Sequence, residues 1–206
     1  MLMVTLSDIQ ALTEKIGVAE WNLSLIEQLK HDFAQWPKFH KCPRHVTHYD
    51  HGVMELMPAA TDESYVYKFV NGHPSNPGHD RFTVVGLGML AEVANGYPLM
   101  ISEMTLLTAL RTAATSALAS QYMAKPNSTT MAMIGCGAQS EFQTLAHHYG
   151  VGIDTVRYFD IDEQAMQKFE QNLSSYPLTL QRCSSIDEAV LGADIITTAT
   201  AAKVCA

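Results

Sequence analysis

The chain has 206 residues, of which 13 are lysine or arginine and 21 are aspartate or glutamate, so its formal net charge is −8. Such an acidic chain lacks the basic surface with which proteins bind nucleic-acid phosphates, and no nucleic-acid partner is expected. Hydrophobic residues make up 47% and charged residues 17%, which is typical of a globular protein. No apolar run reaches the roughly 18 residues of a membrane span, and the N-terminus has no basic segment before its apolar residues. We therefore expect a cytoplasmic protein without a membrane partner.

The cysteines and histidines are the candidate metal ligands, and the cysteines are also the candidate disulfide partners. The four cysteines, Cys42, Cys136, Cys183 and Cys205, are widely spaced, so we expect reduced thiols of a cytosolic protein. Several of the nine histidines fall in one region of the N-terminal half. Because no HExxH motif or mixed Cys/His set accompanies them, surface or strand histidines are favoured over zinc or iron ligands, and no metal is expected.

The N-terminal part of the chain has two helical segments followed by strand patterns. A short helix is expected to end near Gly17, and a longer one carries Trp21, Leu25, Leu29 and Phe33 at four-residue spacing. Strands are expected at residues 44–50, 53–58, 65–71, 83–92 and 97–103. The last two flank Asn95-Gly96, a strong hairpin signal. A mostly antiparallel sheet is therefore predicted, followed by a helix from Thr105 to Ala124.

Two charged residues interrupt otherwise apolar strand patterns in this region. Alternation places Glu55 on the strand face of Val53 and Met57, and it places Lys68 on the face of Val66 and Val70. Such a charge either lies on an open sheet face or points into a site.

The periodicity changes near Pro126. Strands are expected at 130–134, 155–159, 178–182 and 194–198, and helices at 138–149, 162–173 and 185–190. This alternation predicts βαβ units with a parallel sheet. The predicted fold class is α/β, with an N-terminal α+β domain (1–126) built on a mostly antiparallel sheet and an incomplete, doubly wound Rossmann domain (127–206).

A dinucleotide-binding motif lies at the start of the second part. Gly135-x-Gly137-x-x-Ser140 follows a predicted strand and opens a predicted helix, and Asp160 ends the next strand. The first glycine permits a tight turn, the second admits a pyrophosphate, and the carboxylate accepts hydrogen bonds from the adenosine ribose. Thr198, at the end of a later strand, lies where the ligand crevice is expected. A Rossmann-like fold that binds no phosphate, and Asp160 as a simple strand-end cap, remain as alternatives.

The carboxylate at Asp160 also bears on the identity of the dinucleotide. A negative charge there repels a 2′-phosphate, so NAD is favoured over its phosphorylated form.

Several segments together make the chain resemble the ornithine cyclodeaminase/mu-crystallin family, and its bacterial cyclodeaminase branch most. They cover nearly the whole chain in order, and the second and fourth are more diagnostic than the glycine motif. The matching segments are Gly52–Pro58, Tyr67–Pro74, Gly96–Pro98, Thr108–Thr115, Ile134–Phe142 and Asp194–Thr198.

This resemblance implies a reaction and a set of site residues. L-Ornithine is oxidised at Cα by NAD, the imine cyclises with loss of ammonia, and re-reduction gives L-proline. By resemblance, Arg44, Lys68 and Arg111 bind the substrate carboxylate, with Glu55 near the substrate amines; Glu55 and Lys68 are the candidate catalytic residues. The residues implied in cofactor binding are Thr83, Arg111, Gly135, Gly137, Ala138, Gln139, Ser140, Asp160 and Thr198.

The resemblance also implies features beyond residue 206. Family members are longer and carry a catalytic Asp in a Gly-Gly-Asp segment, so we expect the chain to be a fragment with little activity alone, the alternative being a genuine short protein. The family further implies a homodimer, with residues 1–126 as the domain for substrate binding and dimerisation and residues 127–206 as part of the NAD-binding domain. The alternative functions are an NAD-dependent imine reductase or amino-acid dehydrogenase, and a non-enzymatic, crystallin-like dinucleotide-binding protein.

Overall fold

The computed structural model describes residues 1–200. These residues divide into two compact units. Unit 1 comprises Met1–Gly17 and His31–Thr108, and unit 2 comprises Val18–Lys30 and the chain from Ala109 onward. The functional division predicted at residue 126 stays a prediction, because a compact unit is defined by packing and not by function.

Unit 1 is built on a seven-stranded, mostly antiparallel sheet. The elements of this unit are β1 (Leu2–Val4), α1 (Leu6–Ile16), β2 (His40–Lys41), β3 (His45–Tyr49), β4 (Gly52–Ala60), β5 (Ser64–Gly72), β6 (Gly86–Glu92) and β7 (Pro98–Glu103). The strand order is β1-β7-β6-β5-β4-β2, and β3 also pairs with β4. The β1–β7 pair is parallel and the other pairs are antiparallel. The antiparallel sheet predicted from strand alternation is confirmed.

The first helix ends where the sequence predicts, but it begins earlier, at Leu6 with Thr5 as its N-cap, than the cap at Ser7 or Asp8 that the sequence suggested. Thr5 and Asp8 form a capping box at its N-terminus, which satisfies amide groups that have no partner within the helix. The chain leaves the helix at Gly17, whose φ of 88° is accessible mainly to glycine. The predicted end of this helix near Gly17 is confirmed.

Three features of the sheet were not predicted correctly. β1 and β2 were not expected, because three and two residues are too short to display a strand pattern; they pair with β7 and β4 at opposite edges of the sheet. β6 begins at Gly86 rather than at residue 83. The side-chain oxygen of Asn71 accepts the N–H of Val85 at 2.6 Å, and this bond replaces a regular ladder bond. Thr83 therefore lies in a loop.

Unit 2 contains a four-stranded parallel sheet with the order β10-β9-β8-β11. Counted within this unit the order is 3-2-1-4, the arrangement of the first half of a doubly wound Rossmann fold. The elements are α2 (Val18–Ala34) and α3 (Thr105–Met123), both of which also contribute to unit 1, and β8 (Thr130–Ile134), α4 (Ser140–Val151), β9 (Thr155–Phe159), α5 (Glu163–Leu173), β10 (Thr179–Arg182), α6 (Ile186–Val190) and β11 (Ile195–Thr198). The predicted α/β fold class is confirmed.

The core of unit 2 lies between its parallel sheet and the helices that follow the strands. Met131 and Met133 of β8 and Val156 of β9 are fully buried, and they pack with Phe169 of α5. Continuous apolar strands of this kind are typical of parallel sheets covered on both faces. A second cluster joins Ile26 of α2 to alanines of α3, whose small side chains allow close helix packing.

Among residues 1–200, no helix is long and apolar enough to cross a bilayer. The same range holds no group of three or more histidine, cysteine, aspartate or glutamate side chains arranged to bind a metal ion.

The packing of unit 2 leads to a first prediction. Ile153 is fully buried beside β9, whereas Ile161 is 95% exposed. Ile153→Ala should lower the free energy of unfolding by about 2 to 5 kcal/mol, because it leaves a cavity. Ile161→Ala, the same change at the surface, should alter it by less than about 0.5 kcal/mol. Urea unfolding of both variants measures the difference, and equal effects would contradict this assignment of the core.

A buried histidine connects α3 and α4 within unit 2. The Nδ1–H of His147 donates to the carbonyl of Gln143 at 2.7 Å, and its Nε2 accepts from the hydroxyl of Ser120 at 3.0 Å. The neutral ring with its proton on Nδ1 satisfies both bonds. Burial lowers the pKa of His147 below its ordinary value of 6.5.

The histidine makes stability depend on pH in a defined direction. As pH falls below about 6.5, the unfolded chain takes up a proton at this position before the folded chain does. The stabilising contribution is thus present above that pH and is lost as pH decreases further. We predict that the free energy of unfolding of the parent protein falls between about pH 7 and pH 5, and that the fall is smaller in His147→Gln. His79→Gln, at an exposed histidine, is the control and should keep the parent's pH dependence.

Candidate functional site

The turn after β8 is shaped by a glycine that no other residue can replace without strain. Gly135 has a φ of +93°, and a Cβ at this position would lie 2.9 Å from the carbonyl oxygen of Ala199. Its N–H donates to the carbonyl of Phe159 at 2.9 Å. The turn is therefore packed against the ends of two neighbouring strands.

Asp160 links this turn to the start of α5. One carboxylate oxygen accepts the N–H of Cys136 at 2.6 Å, and the other accepts the N–H of Asp162 at 3.0 Å. Asp162 in turn caps α5 by accepting the N–H of Gln164 at 2.9 Å. The two bonds fix the orientation of the Asp160 carboxylate at the carboxyl end of β9.

The loop before α4 has the features of an anion site. A Cβ on Gly137 would meet no atom within 4 Å, so the space above this residue is open. Ala138 is exposed, and Gln139 occupies the N-cap without a side-chain capping bond. The hydroxyl of the buried Ser140 donates to the Gly137 carbonyl at 2.8 Å. An uncapped helix N-terminus directs amide hydrogens and the positive end of its dipole outward.

A polar atom in the same loop has no partner among residues 1–200. The side-chain oxygen of Gln139 is buried and accepts no hydrogen bond there. A buried acceptor without a partner is costly, so Gln139 is a candidate for contact with a bound molecule.

Thr198 lies beside this loop. It ends β11 opposite Ile134, the last residue of β8, and its side chain is exposed. Its position at the carboxyl end of a parallel strand is the one at which doubly wound folds bind ligands.

The thiol inside the glycine motif is not reactive. Cys136 is fully buried, and burial together with the nearby Asp160 raises its pKa to about 12. The thiol therefore stays protonated near neutral pH and is not a nucleophile. Its backbone N–H, and not its sulfur, contributes to the site.

Lys168 of α5 contacts the loop and was not identified from the sequence. Its ammonium lies 3.4 Å from the Gly137 carbonyl and forms a salt bridge of 3.1 Å with Glu141 of α4. Glu141 also accepts from the amide of Asn172 at 2.8 Å. No motif signals this residue, because its role depends on how α5 packs beside α4.

In unit 1, three of the candidate residues lie together. Glu55 of β4 is opposite Val70 of β5, and Met57 is opposite Lys68, so Glu55 and Lys68 share one face of the sheet. Arg44, just before β3, donates from Nη1 to Glu55 at 2.8 Å. The glutamate side chain is 19% exposed and the arginine 59%.

Two glycines of the neighbouring strand leave room for Met104. Gly88 and Gly86 of β6 are opposite Lys68 and Val70. A Cβ on Gly88 would lie 2.9 Å from the Met104 side chain. The absence of side chains at these two positions thus allows Met104 to pack closely against β6.

Thr83 lies in a loop that is bound through hydrogen bonds to Asn71 and His73. Asn71 binds the N–H of Val85 through its side chain, and the N–H of His73 donates to the Thr83 carbonyl at 2.9 Å. The Asn71 amide and the His73 ring are 2.9 Å apart. Asparagine beside glycine commonly binds turn backbone, and Asn71 does so here.

Arg111 is exposed on α3 in unit 2. It takes part in none of the salt bridges formed within residues 1–200. The structure therefore groups Arg44, Glu55 and Lys68 in unit 1, and it groups the glycine loop, Asp160 and Thr198 in unit 2. Thr83 and Arg111 are described in units 1 and 2, respectively.

Comparison with known proteins identifies the family. The sequence profile of the Ornithine cyclodeaminase/mu-crystallin family matches residues 7–206. Ornithine cyclodeaminase of Agrobacterium tumefaciens (strain Ach5) is 49% identical over 200 residues, which cover 97% of this chain and 56% of that protein. The chain thus spans a little over half the length of this curated relative.

Solved structures show the same fold. A lysine cyclodeaminase, whose structure is described as the basis for its recognition of L-lysine, L-ornithine and L-2,4-diaminobutyric acid, matches 99% of this chain and 61% of its own, with a TM-score of 0.92 and 26% identity. An archaeal alanine dehydrogenase dimer with bound NAD matches 97% of this chain and 60% of its own, with a TM-score of 0.82 and 28% identity. With a family profile that covers nearly all of its residues, the chain belongs to the Ornithine cyclodeaminase/mu-crystallin family.

Proposed function

We propose that this chain belongs to an NAD-dependent ornithine cyclodeaminase, which converts L-ornithine to L-proline and ammonia. The similarity to ornithine cyclodeaminases, at 46–49% identity over 97% of the chain, carries the choice of reaction. The charged sheet face formed by Arg44, Glu55 and Lys68 supports it, because a diamino acid needs both anionic and cationic partners.

The residues of unit 2 fit NAD. Gly137 leaves open space for a pyrophosphate at the uncapped N-terminus of α4, and the buried Gln139 oxygen lacks a partner within residues 1–200. Asp160 offers the remaining lone pairs of an oriented carboxylate to ribose hydroxyls. When bound, NAD supplies the transient oxidation of ornithine at Cα and its reversal.

The chain's own residues bind and orient the substrate. Lys68 and Arg44 hold the α-carboxylate, and Arg111 contributes a further cation for carboxylate or cofactor. Arginine suits this role because its planar fork can bind a carboxylate through two hydrogen bonds. Glu55 binds an ammonium group of ornithine and accepts its proton, which leaves an uncharged amine able to close the ring. Binding both ends of the substrate brings the δ-amine and Cα into reacting geometry.

Thr83 is proposed to contact the cofactor from its loop in unit 1. The bonds from Asn71 and His73 fix the backbone on either side of this residue. A threonine hydroxyl can donate to a phosphate oxygen or a carboxamide, so the loop would supply a cofactor contact without a charge.

We further propose a cytoplasmic homodimer that uses the other face of the unit 1 sheet. On that face Leu56, Phe69 and Leu87 lie in one cross-strand row, and Leu56 and Leu87 are 43% and 46% exposed. An apolar sheet face of this kind favours association with a second copy.

The proposed reaction is tested with the protein from the complete reading frame that contains this sequence. We predict that incubation with L-ornithine and catalytic NAD yields proline and ammonia in equal amounts, without net NADH. Net NADH formation would favour an amino-acid dehydrogenase, and the absence of both products would contradict the proposal.

Lys68→Met should lower kcat/KM for ornithine by about 10- to 100-fold, the usual effect of losing a hydrogen bond to a charged group. Lys15→Met, at an exposed lysine of α1, should leave it unchanged.

The two glycines of the motif give a prediction that separates folding from cofactor binding. Gly137→Ala should leave the free energy of unfolding within about 1 kcal/mol of the parent value, because its Cβ enters open space. It should weaken NADH binding, since the methyl group occupies the approach of the pyrophosphate. Gly135→Ala should lower the free energy of unfolding by about 1 to 3 kcal/mol, because φ is positive and the Cβ meets backbone. Thermal unfolding and NADH fluorescence titration measure both effects. Unchanged NADH affinity in Gly137→Ala would contradict the proposed pyrophosphate position.

A further inference from the structure

A shallow depression lies at the carboxyl ends of β9 and β10 in unit 2. Its lining includes Asp160 and Ile161 after β9, Glu163 at the start of α5, and Arg182 and Ser184 at and after the end of β10. Asp160 is the residue proposed to bind the adenosine ribose, so a group attached to the ribose 2′ position would enter this depression.

An arginine in this position is unexpected for a protein that binds unphosphorylated NAD. In dinucleotide-binding folds, an arginine near the ribose accommodates the 2′-phosphate of NADP. Arg182 could bind this phosphate only with a guanidinium group that is not already paired with carboxylates.

Two glutamates of α5 bind Arg182. Its Nη2 forms a close salt bridge with Glu163, and its Nη1 lies 3.7 Å from Glu170. Glu170 also accepts the hydroxyl of Tyr158, which fixes that carboxylate against β9. The Arg182 charge is thus already neutralised on the side that faces α5.

The balance of charge around the depression opposes a phosphate. In its lining, Asp160 and Glu163 carry two negative charges against the single positive charge of Arg182, and Glu170, the second partner of Arg182, adds a third negative charge beside it. A phosphate monoester adds a charge of about −1.5 to −2 at neutral pH. A free 2′-hydroxyl adds none and can donate to the Asp160 carboxylate.

We propose that Glu163 and Glu170, by pairing with Arg182, make this protein select dinucleotides with a free 2′-hydroxyl. Once a pairing glutamate is removed, Arg182 can bind a 2′-phosphate. This inference rests on the proposed NAD-dependent function. It assigns cofactor selectivity to an ion-pair cluster in addition to the Asp160 carboxylate.

The ion pairs between Arg182 and the two glutamates are exposed to solvent. The side chains of Arg182, Glu163 and Glu170 are 35%, 63% and 37% exposed. Salt bridges this accessible contribute little to folding, about 0 to 1 kcal/mol. Removing one carboxylate therefore changes the partner of Arg182 without unfolding unit 2.

The experiment compares NADH and NADPH affinity by fluorescence titration of the protein from the complete reading frame. The parent should bind NADH more tightly than NADPH. Glu163→Gln should increase NADPH affinity by about tenfold, which corresponds to about 1.4 kcal/mol, and should change NADH affinity by less than about twofold. The double variant Glu163→Gln/Arg182→Gln should lose the gain, because the guanidinium is its source.

Glu27→Gln is the matched control. It removes one charge from a side chain that is 67% exposed and also paired with a lysine, and it should not alter the ratio of NADPH affinity to NADH affinity. An unchanged ratio in Glu163→Gln, or a gain that persists without Arg182, would overturn the inference while leaving NADH binding intact. A parent protein that binds neither dinucleotide would instead refute the proposed function, and the inference with it.

Discussion

The bond from the Cys136 amide to the Asp160 carboxylate is the interaction on which the candidate cofactor site depends. It ties the glycine turn after β8 to the end of β9, and the second Asp160 bond, to Asp162, continues the link into α5. A carboxylate with both oxygens bound to backbone amides cannot rotate away, so it is already oriented for ribose hydroxyls. Because Gly135 must adopt a positive φ for the Cys136 amide to point at Asp160, the glycine and the carboxylate form a single structural element.

Charge explains how an acidic protein can offer a site to an anionic cofactor. The net charge is −8, and the loop before α4 has acidic neighbours in Glu141 and Asp160. Attraction for a pyrophosphate must therefore come from backbone amides and the dipole of α4. Lys168 offsets Glu141 and contacts the Gly137 carbonyl, so the partial negative charge of this loop carbonyl is bound to a cation.

The sequence predicted those parts of the fold and site that local chemistry determines. Gly17, the hairpin at Asn95-Gly96 and the strand–helix alternation after residue 129 each have a local physical signature, and all appear as expected. Lys168, Arg182 and the loop position of Thr83 depend on packing between segments distant in the sequence. A side chain such as Asn71, which competes with the strand ladder for an amide, moves a strand boundary by three residues without altering the apolar pattern. Such competition is visible only once the partner strand is placed.

The charged face of unit 1 follows a different principle from the cofactor loop. Backbone amides can bind any phosphate, but they cannot distinguish the two ends of a diamino acid. Side chains of opposite sign on one rigid sheet face can, because Arg44 and Lys68 favour a carboxylate while Glu55 favours an ammonium group. Pairing between Arg44 and Glu55 at 2.8 Å keeps both charges satisfied before any ligand arrives. A zwitterionic substrate can replace each partner with a group of the same charge, so the desolvation of these side chains is offset in both states. This exchange favours a ligand that carries both charges over one that carries a single charge, and it is the physical reason for preferring an amino-acid substrate on this face.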